Sequence, residues 1–401
     1  MKKTGRIALL ALALAAALFA AAAGCRRTDA DGPGAVTGEG SAEAGTEKAP
    51  ATVALGIRAI SKHGNLILDT TFEELAAAGV EIGDLILVCT GSAAYEMPVG
   101  TSYTDVDSGE MICRFDPEDS EVALAINYGS FAGETGVAEK QTVEEDPGYK
   151  WEILVSGITL SLKEKGGYLA EYRARNLTRT DGRADYPALS DEEFANFRAV
   201  ASGAVRENTL YRSSTPIEPA LGRNGYAMAA MEKAGIRTVV NLDDSPEEMK
   251  RYAAYPGSYY SGCAIVNPEM SYEFESADFS GKVRESVLFL IANDAPFLIH
   301  CKEGKDRTGI LCAILECFAG ASEEEVDRDY MITYANYYGV KQTDPVYAIL
   351  LENNLKKTLR ALFRIEKTEG ADLAESARRY LLSTGLSEEQ LGLLGQKLKK
   401  A

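Results

Sequence analysis

Residues 295–320 read APFLIHCKEGKDRTGILCAILECFAG, and no other stretch restricts the fold so tightly. The run APFLIH is apolar without alternation, as a strand buried on both faces must be. From about Thr308 a second apolar run follows. Ile310, Leu311, Ala313, Ile314, Leu315 and Phe318 fall nearly all round a helix. A helix apolar on every side belongs in the centre of a domain. A doubly buried strand feeding a buried helix marks an α/β domain with a parallel core sheet. The tract joining them, HCKEGKDRTG, sets one thiol, Cys301, among Lys302, Lys305 and Arg307.

The sequence on either side has the same alternation from about residue 170 onward. LSDEEFANFRAV opens on a capping box, Ser190 to Glu193. YAMAAMEKAG predicts a helix ended by Gly235, and IRTVVNLD a strand. In GKVRESVLFLIAND, Val283, Val287, Leu290 and Ile291 share one helical face. A second capping box, Ser322 to Glu325, opens the helices that dominate the C-terminal part. Cys312 and Cys317 sit on the apolar helix and read as core. The tyrosines of YYS (259–261) and TYANYYG read as packing or rim.

A strand, a glycine-containing loop and a helix aim loop amides and a helix N-terminus at one point, and such a point binds anions. Arg307 adds a planar fork suited to two phosphate oxygens. The same positive field favours the Cys301 thiolate, and a thiolate beneath a bound phosphate is an attacking group. The spacing C-x5-R lets the loop wrap a single tetrahedral group, with Cys301 below and Arg307 at the side.

HCKEGKDRTG resembles the signature of the Cys-dependent protein tyrosine phosphatase superfamily, in its bacterial branch with the pattern H-C-x-x-G-K-D-R-T-G. NFRAVASGAVRENTLYRSSTP (196–216), GIRTVVNLDDSPEE (235–248) and YLLSTGLSEEQLGLLGQKL extend the likeness over about residues 173–400. The resemblance implies a phosphatase-like α/β domain with a parallel core sheet and C-terminal helices. It implies Cys301 as nucleophile, Arg307 on the phosphoryl oxygens, and Thr308 bonded to the sulfur. Lys302, Glu303, Gly304, Lys305 and Gly309 would line the phosphate site, and His300 would steady the loop. The proton donor is Asp306 in that branch; Asp278, in SYEFESADFSG, is the alternative on a separate loop. Substrates implied are phosphotyrosine proteins and phosphoinositides. Lys302 and Lys305 occupy places that tensin-type lipid phosphatases also fill with lysine, and Glu303 opposes a very anionic substrate. No cofactor or metal is expected.

Residues 51–172 differ in character. GNLILDT, GDLILVCTG, VALAINYG and YKWEILVSGITLSL are β-type runs parted by Gly, Asp and Pro, and TFEELAAAG (71–79) predicts a short helix. HGNLILDT, AGVEIGDLILV and SYTDVDSGE…LAINYGSFAG resemble the β-rich C-terminal domain of the S-adenosylmethionine hydroxide adenosyltransferases. That likeness implies a small β-rich domain and not that chemistry, because the family's catalytic half has no counterpart here. YTDVDSGE carries Asp105, Asp107 and Glu110 but lacks the glycine and terminal glutamate of a calcium loop. Trp151 is expected to anchor a strand.

The first 24 residues have a basic start (Lys2, Lys3, Arg6) and an apolar run from Ile7 to Ala23, and AAGC then ends at Cys25. This is an export signal, and it resembles a bacterial lipoprotein cleavage box in which Cys25 becomes lipidated. The expected location is the extracytoplasmic face of a bacterial membrane. Residues 25–50 are small, polar and Gly-rich, as in a tether. Formal charge is −18, from 42 basic and 60 acidic residues, which argues against nucleic acid as a partner. The other six cysteines show no paired spacing, and the two histidines are at 63 and 300, which argues against a zinc site.

Overall fold

The computed structural model describes residues 52–400 apart from 92, 119 and 145–147. The described residues belong to one compact unit. The expected export signal, Cys25 and the tether to residue 50 lie outside the described residues. Among the described residues no helix is long and apolar enough to cross a membrane.

The first layer is an eight-stranded sheet. Its strands are β1 (Thr52–Leu55), β2 (Ile57–Ile60), β3 (Leu66–Thr71), β4 (Leu85–Thr90), β5 (Ala93–Gly100), β6 (Met111–Phe115) and β7 (Glu121–Ile126). The last strand arrives after a separate hairpin, β8 (Ala138–Thr142) and β9 (Tyr149–Ile153), as β10 (Ile158–Glu164). The order is β1-β10-β4-β5-β6-β7-β3-β2, antiparallel except for β5 and β6. YKWEILVSGITLSL therefore makes two strands in two sheets, broken between Ile153 and Ile158, where one run was expected. Leu66, Leu68, Ile86, Val88, Leu124 and Leu160 are fully buried against two short helices, α1 (Phe72–Ala77) and α2 (Phe131–Thr135). Trp151 lies on β9 with Lys140 over its ring.

The second layer begins with α3 (Leu169–Arg175) and α4 (Asp191–Phe194), the latter opened by the Ser190–Glu193 capping box. Its sheet comprises β11 (Arg198–Ala199), β12 (Leu210–Ser213), β13 (Thr238–Asn241), β14 (Ala264–Val266) and β15 (Phe297–His300), ordered β11-β12-β15-β13-β14. All pairs are parallel except the edge strand β11. Helices α5 (Asn224–Lys233) and α6 (Pro246–Met249) belong to the same layer as α7 (Ala277–Ala292) and α8 (Asp306–Ala319). The chain ends in α9 (Glu323–Tyr338), α10 (Pro345–Leu351), α11 (Lys357–Phe363), α12 (Leu373–Ser383) and α13 (Glu388–Leu398). Both faces of the sheet are covered. Val240 and Ile299 pack in the large core with α7, α8 and the C-terminal helices, while Val239 and Leu298 pack with Ala227 and Met231 of α5.

The central strand β15 is buried at every position, as its unbroken apolar run requires. Helix α8 is buried along its whole length after Asp306. It starts two residues before the expected Thr308, because Lys305 is already its N-cap residue. Register sets the stage for chemistry. His300 lies between Ser213 of β12 and Asn241 of β13, so three loops leave the carboxyl edge of the parallel strands together. Open α/β sheets bind ligands at that edge.

Candidate active site

The loop from Cys301 to Lys305 is a tight wrap. Gly304 sits at φ +66°, where a side chain is strained. Space is absent as well: a Cβ there would lie 2.0 Å from the Ser213 carbonyl oxygen.

The loop's carbonyls are drawn outward by a set of buried donors. Thr215 N donates to Lys302 O at 3.1 Å. Tyr337 Oη donates to Glu303 O at 2.8 Å, and Asn196 Nδ2 reaches both Glu303 O and Gly304 O at 3.2 Å. Arg212 Nη2 donates to Gly304 O at 2.8 Å and Lys305 O at 3.3 Å. With the carbonyls engaged on one side, the peptide units present their N–H groups to the other. The amides of Lys302, Glu303, Gly304 and Lys305 donate to no acceptor among the described residues. Inward amides without protein partners are the makings of an anion cradle.

Arg212 is itself fully buried. Its Nη1 bonds Asp329 Oδ2 at 2.6 Å, and Arg198 Nε bonds Asp329 Oδ1 at 2.9 Å. Although burial favours the neutral acid, the two guanidiniums hold the Asp329 carboxyl below its ordinary range. Behind them Glu316 of α8 is driven far upward by burial and by Asp329.

Cys301 forms the floor of the loop and is 2% exposed, within Coulombic reach of Arg307. Arg307 is anchored by Asp243 Oδ1 at 2.6 Å and by the carbonyls of Met270 and Leu242 at 3.2 and 3.3 Å. Its Nε is buried without a partner, and so is the Thr308 hydroxyl. Two orphaned donors beside an open cradle mark where ligand oxygens and the sulfur belong. The Tyr272 ring lies 4.7 Å from the Arg307 guanidinium on the wall of the adjoining cleft. His300 is fully buried, with Nε2 paired to Tyr260 Oη at 2.7 Å and Nδ1 to Cys301 O at 3.3 Å. Burial lowers its pKa to about 4, so it is neutral at pH 7 and steadies the loop.

Asp306, in the first turn of α8, faces a cleft of about 700 Å³. Burial pushes its carboxyl above the usual carboxylate range, against the pull of Lys305 and Arg307. Asp278 stands elsewhere. It lies in the first turn of α7, its side chain is 61% exposed, and it pairs with Lys282 at 3.2 Å. It does not line the cleft.

The remaining expected site residues divide. Lys302 reaches Glu218 at 2.8 Å, and Lys305 reaches Glu303 at 3.2 Å and Tyr338 Oη at 3.3 Å. The Glu303 carboxylate turns to Arg179 at 2.7 Å, and its backbone supplies the loop. Gly309 does not face the cradle. Its N–H is spent on Lys305 O at 2.9 Å, and a Cβ would strike the Tyr330 ring at 2.6 Å; glycine is there for packing. Asp243, Tyr272, Arg179, Arg212, Asn196 and Asp329 went unrecognised in the sequence. Asp243 lay within the quoted GIRTVVNLDDSPEE, and a carboxylate just after a core strand was the available signal.

Among solved structures, the core catalytic domain of the PP-IP phosphatase SIW14 from S. cerevisiae is 21% identical, covering 40% of this chain and 85% of that one, with a TM-score of 0.26. P. aeruginosa TpbA in complex with phosphotyrosine is 16% identical, covering 51% and 100%, with a TM-score of 0.29. An uncharacterized conserved protein of Thermotoga maritima is 16% identical, with a TM-score of 0.23; the match covers 29% of this chain and 39% of that protein's length. No curated protein matches the chain. Residues 192–399, more than half of the sequence and all of the loop just described, match the model of the tyrosine phosphatase family, and the chain belongs to that family.

Proposed function

We propose that the chain hydrolyses phosphomonoesters through a cysteinyl-phosphate intermediate. The observation that carries this reading is the cradle of outward carbonyls and inward amides around Cys301, closed by Arg307. In the first step the Cys301 sulfur attacks phosphorus, an S–P bond forms, and the P–O bond to the leaving group breaks. Asp306 gives its proton to the leaving oxygen; its raised pKa suits a donor. The inward amides and Arg307 hold the three non-bridging oxygens as charge grows on them. In the second step water attacks phosphorus, Asp306 accepts its proton, and the S–P bond breaks with Thr308 donating to the departing sulfur.

Phosphotyrosine on protein is the substrate that family membership favours. A second reading, inositol phosphates or phosphoinositides, is favoured by the cations Lys305, Arg175 and Lys357 around the cleft. We further propose that Cys25 carries a lipid and that the enzyme works on the extracytoplasmic face of a bacterial membrane.

The test is turnover of p-nitrophenyl phosphate without added metal. Cys301→Ser is expected to lower kcat by at least ~10⁴-fold, and Asp306→Asn by ~10²–10³-fold with loss of the alkaline limb of the pH profile. Undiminished activity in Cys301→Ser would overturn the reading.

A further inference from the structure

The cleft meets the end of the phosphate loop at Lys305 and Asp306 and leads from there to a wall built from two places outside it. One is helical. From Leu350 to Thr358 the chain passes through a π-turn, Glu352–Lys356, between α10 and α11. Leu350, Asn353, Asn354, Lys357 and Thr358 all line the cleft. These positions recur at the spacing of a single helical face. The opposite face, Leu351, Leu355, Leu359 and Leu362, is buried. The stripe toward the cleft is therefore mostly polar, and π-turns gather at functional sites.

The other place is where α3 is tied to the β-rich layer. Arg175, the last residue of α3, lines the same cleft and precedes the family match at residue 192. It is held by the acidic turn that follows β5. Asp107 Oδ1 accepts from Nη2 at 2.8 Å and Thr104 O from Nη1 at 3.4 Å. Asn176 Nδ2 also ties to Asp105 Oδ1 at 2.9 Å. The segment YTDVDSGE thus aims a guanidinium at the cleft. Lys357 stands close enough to act on Asp107 and Glu352 electrostatically, yet among the described residues its side chain forms no ion pair or hydrogen bond.

Resting on the hydrolase reading above, we infer that Arg175 and Lys357 form a second anion subsite. It receives a further phosphate of a small polyol whose first phosphate sits over Cys301. The wall between the two ends mixes donors and acceptors: Asn353 and Thr358 on one side, Glu273 and Glu275 on the other. Ring hydroxyls can give to those carboxylates and accept from the Asn353 amide. A cleft of about 700 Å³ lies in the ordinary range for small-molecule sites. The β-rich layer, through Asp107, is then part of the substrate site.

The test uses the full chain. kcat/KM is measured on inositol hexakisphosphate, on vesicles carrying a phosphoinositide bisphosphate, on a doubly phosphorylated peptide, and on p-nitrophenyl phosphate. Lys357→Gln and Arg175→Gln are each expected to lower the ratio of polyol-phosphate to p-nitrophenyl phosphate activity about tenfold, the effect of one charge-assisted contact. Lys357→Arg should restore it. The two polyol arms separate a soluble substrate from a lipid headgroup. The Lys357 side chain is exposed and has no ion-pair partner among the described residues, so its replacement does not threaten folding. An unchanged ratio in both variants overturns the inference, as does the same dependence seen only on the peptide. Calorimetric titration of Cys301→Ser with inositol hexakisphosphate decides the matter even without turnover. Binding weakened by Lys357→Gln keeps the subsite though the hydrolase reading fails, and no binding removes it.

Discussion

The two layers put buried charge to different uses. In the β-rich sheet, the buried carboxylates Asp84 and Asp105 serve backbone turns. Asp84 accepts from Glu81 N and Gly166 N, both at 2.7 Å. Asp105 accepts from Thr101 N and Ser102 N at 2.7 and 2.9 Å. The α/β layer buries guanidiniums as well as carboxylates: Arg212, Arg223 and Arg307 along with Asp329 and Glu316. Two of these guanidiniums touch the phosphate loop or stand beside its cysteine. Burying an ion pair brings little net stability. The contrast teaches that the second layer accepts this cost where donors must be held on the back of a loop.

The widest gap between the layers should appear on breaking one pair in each. Arg212→Met leaves Asp329 buried with half its partners, and urea unfolding is expected to show a loss of about 3–5 kcal/mol. Catalysis should fall with it, because Gly304 O and Lys305 O lose their donor. The next effect is a pH dependence confined to the α/β layer. The folded pKa of His300, about 4, lies below the ordinary 6.5, so between those pH values only the unfolded chain takes the proton. Stability therefore falls as pH drops from 6.5 to 4, by roughly 3 kcal/mol. The difference between wild type and His300→Gln isolates it, since the other histidine, His63, is exposed. The smallest effect belongs to the sheet. Lys163 and Glu96 pair there with both side chains 46% exposed, and Lys163→Gln should change stability by less than about 1 kcal/mol. Equal losses from Arg212→Met and Lys163→Gln would erase the contrast.

What the sequence discloses follows from how local the cause is. The capping boxes at Ser190 and Ser322 need three residues of context, and both form. The strand and helix flanking Cys301 announce themselves by unbroken apolarity. The back of the loop does not, because Arg212 meets Asp329 across 117 positions and Arg307 meets Asp243 across 64. No periodicity encodes such pairs. Gly309 misled for a different reason: two glycines in one signature look alike, yet one relieves a turn and the other admits the ring of Tyr330. The acidic turn at Asp107 reads in the sequence only as an incomplete calcium loop, because the arginine it holds lies 68 positions away on α3.

The contact between Gly304 and the Ser213 carbonyl bears on how this lineage can change. Glycine and alanine codons differ by one base, so a single nucleotide substitution would drive a methyl group into the main chain of a neighbouring core strand. The catalytic loop therefore sits on a mutational cliff, while the exposed lysine on the far rim of the cleft can drift. On the function proposed here, change within this architecture is easier in what the protein grips than in how it cuts.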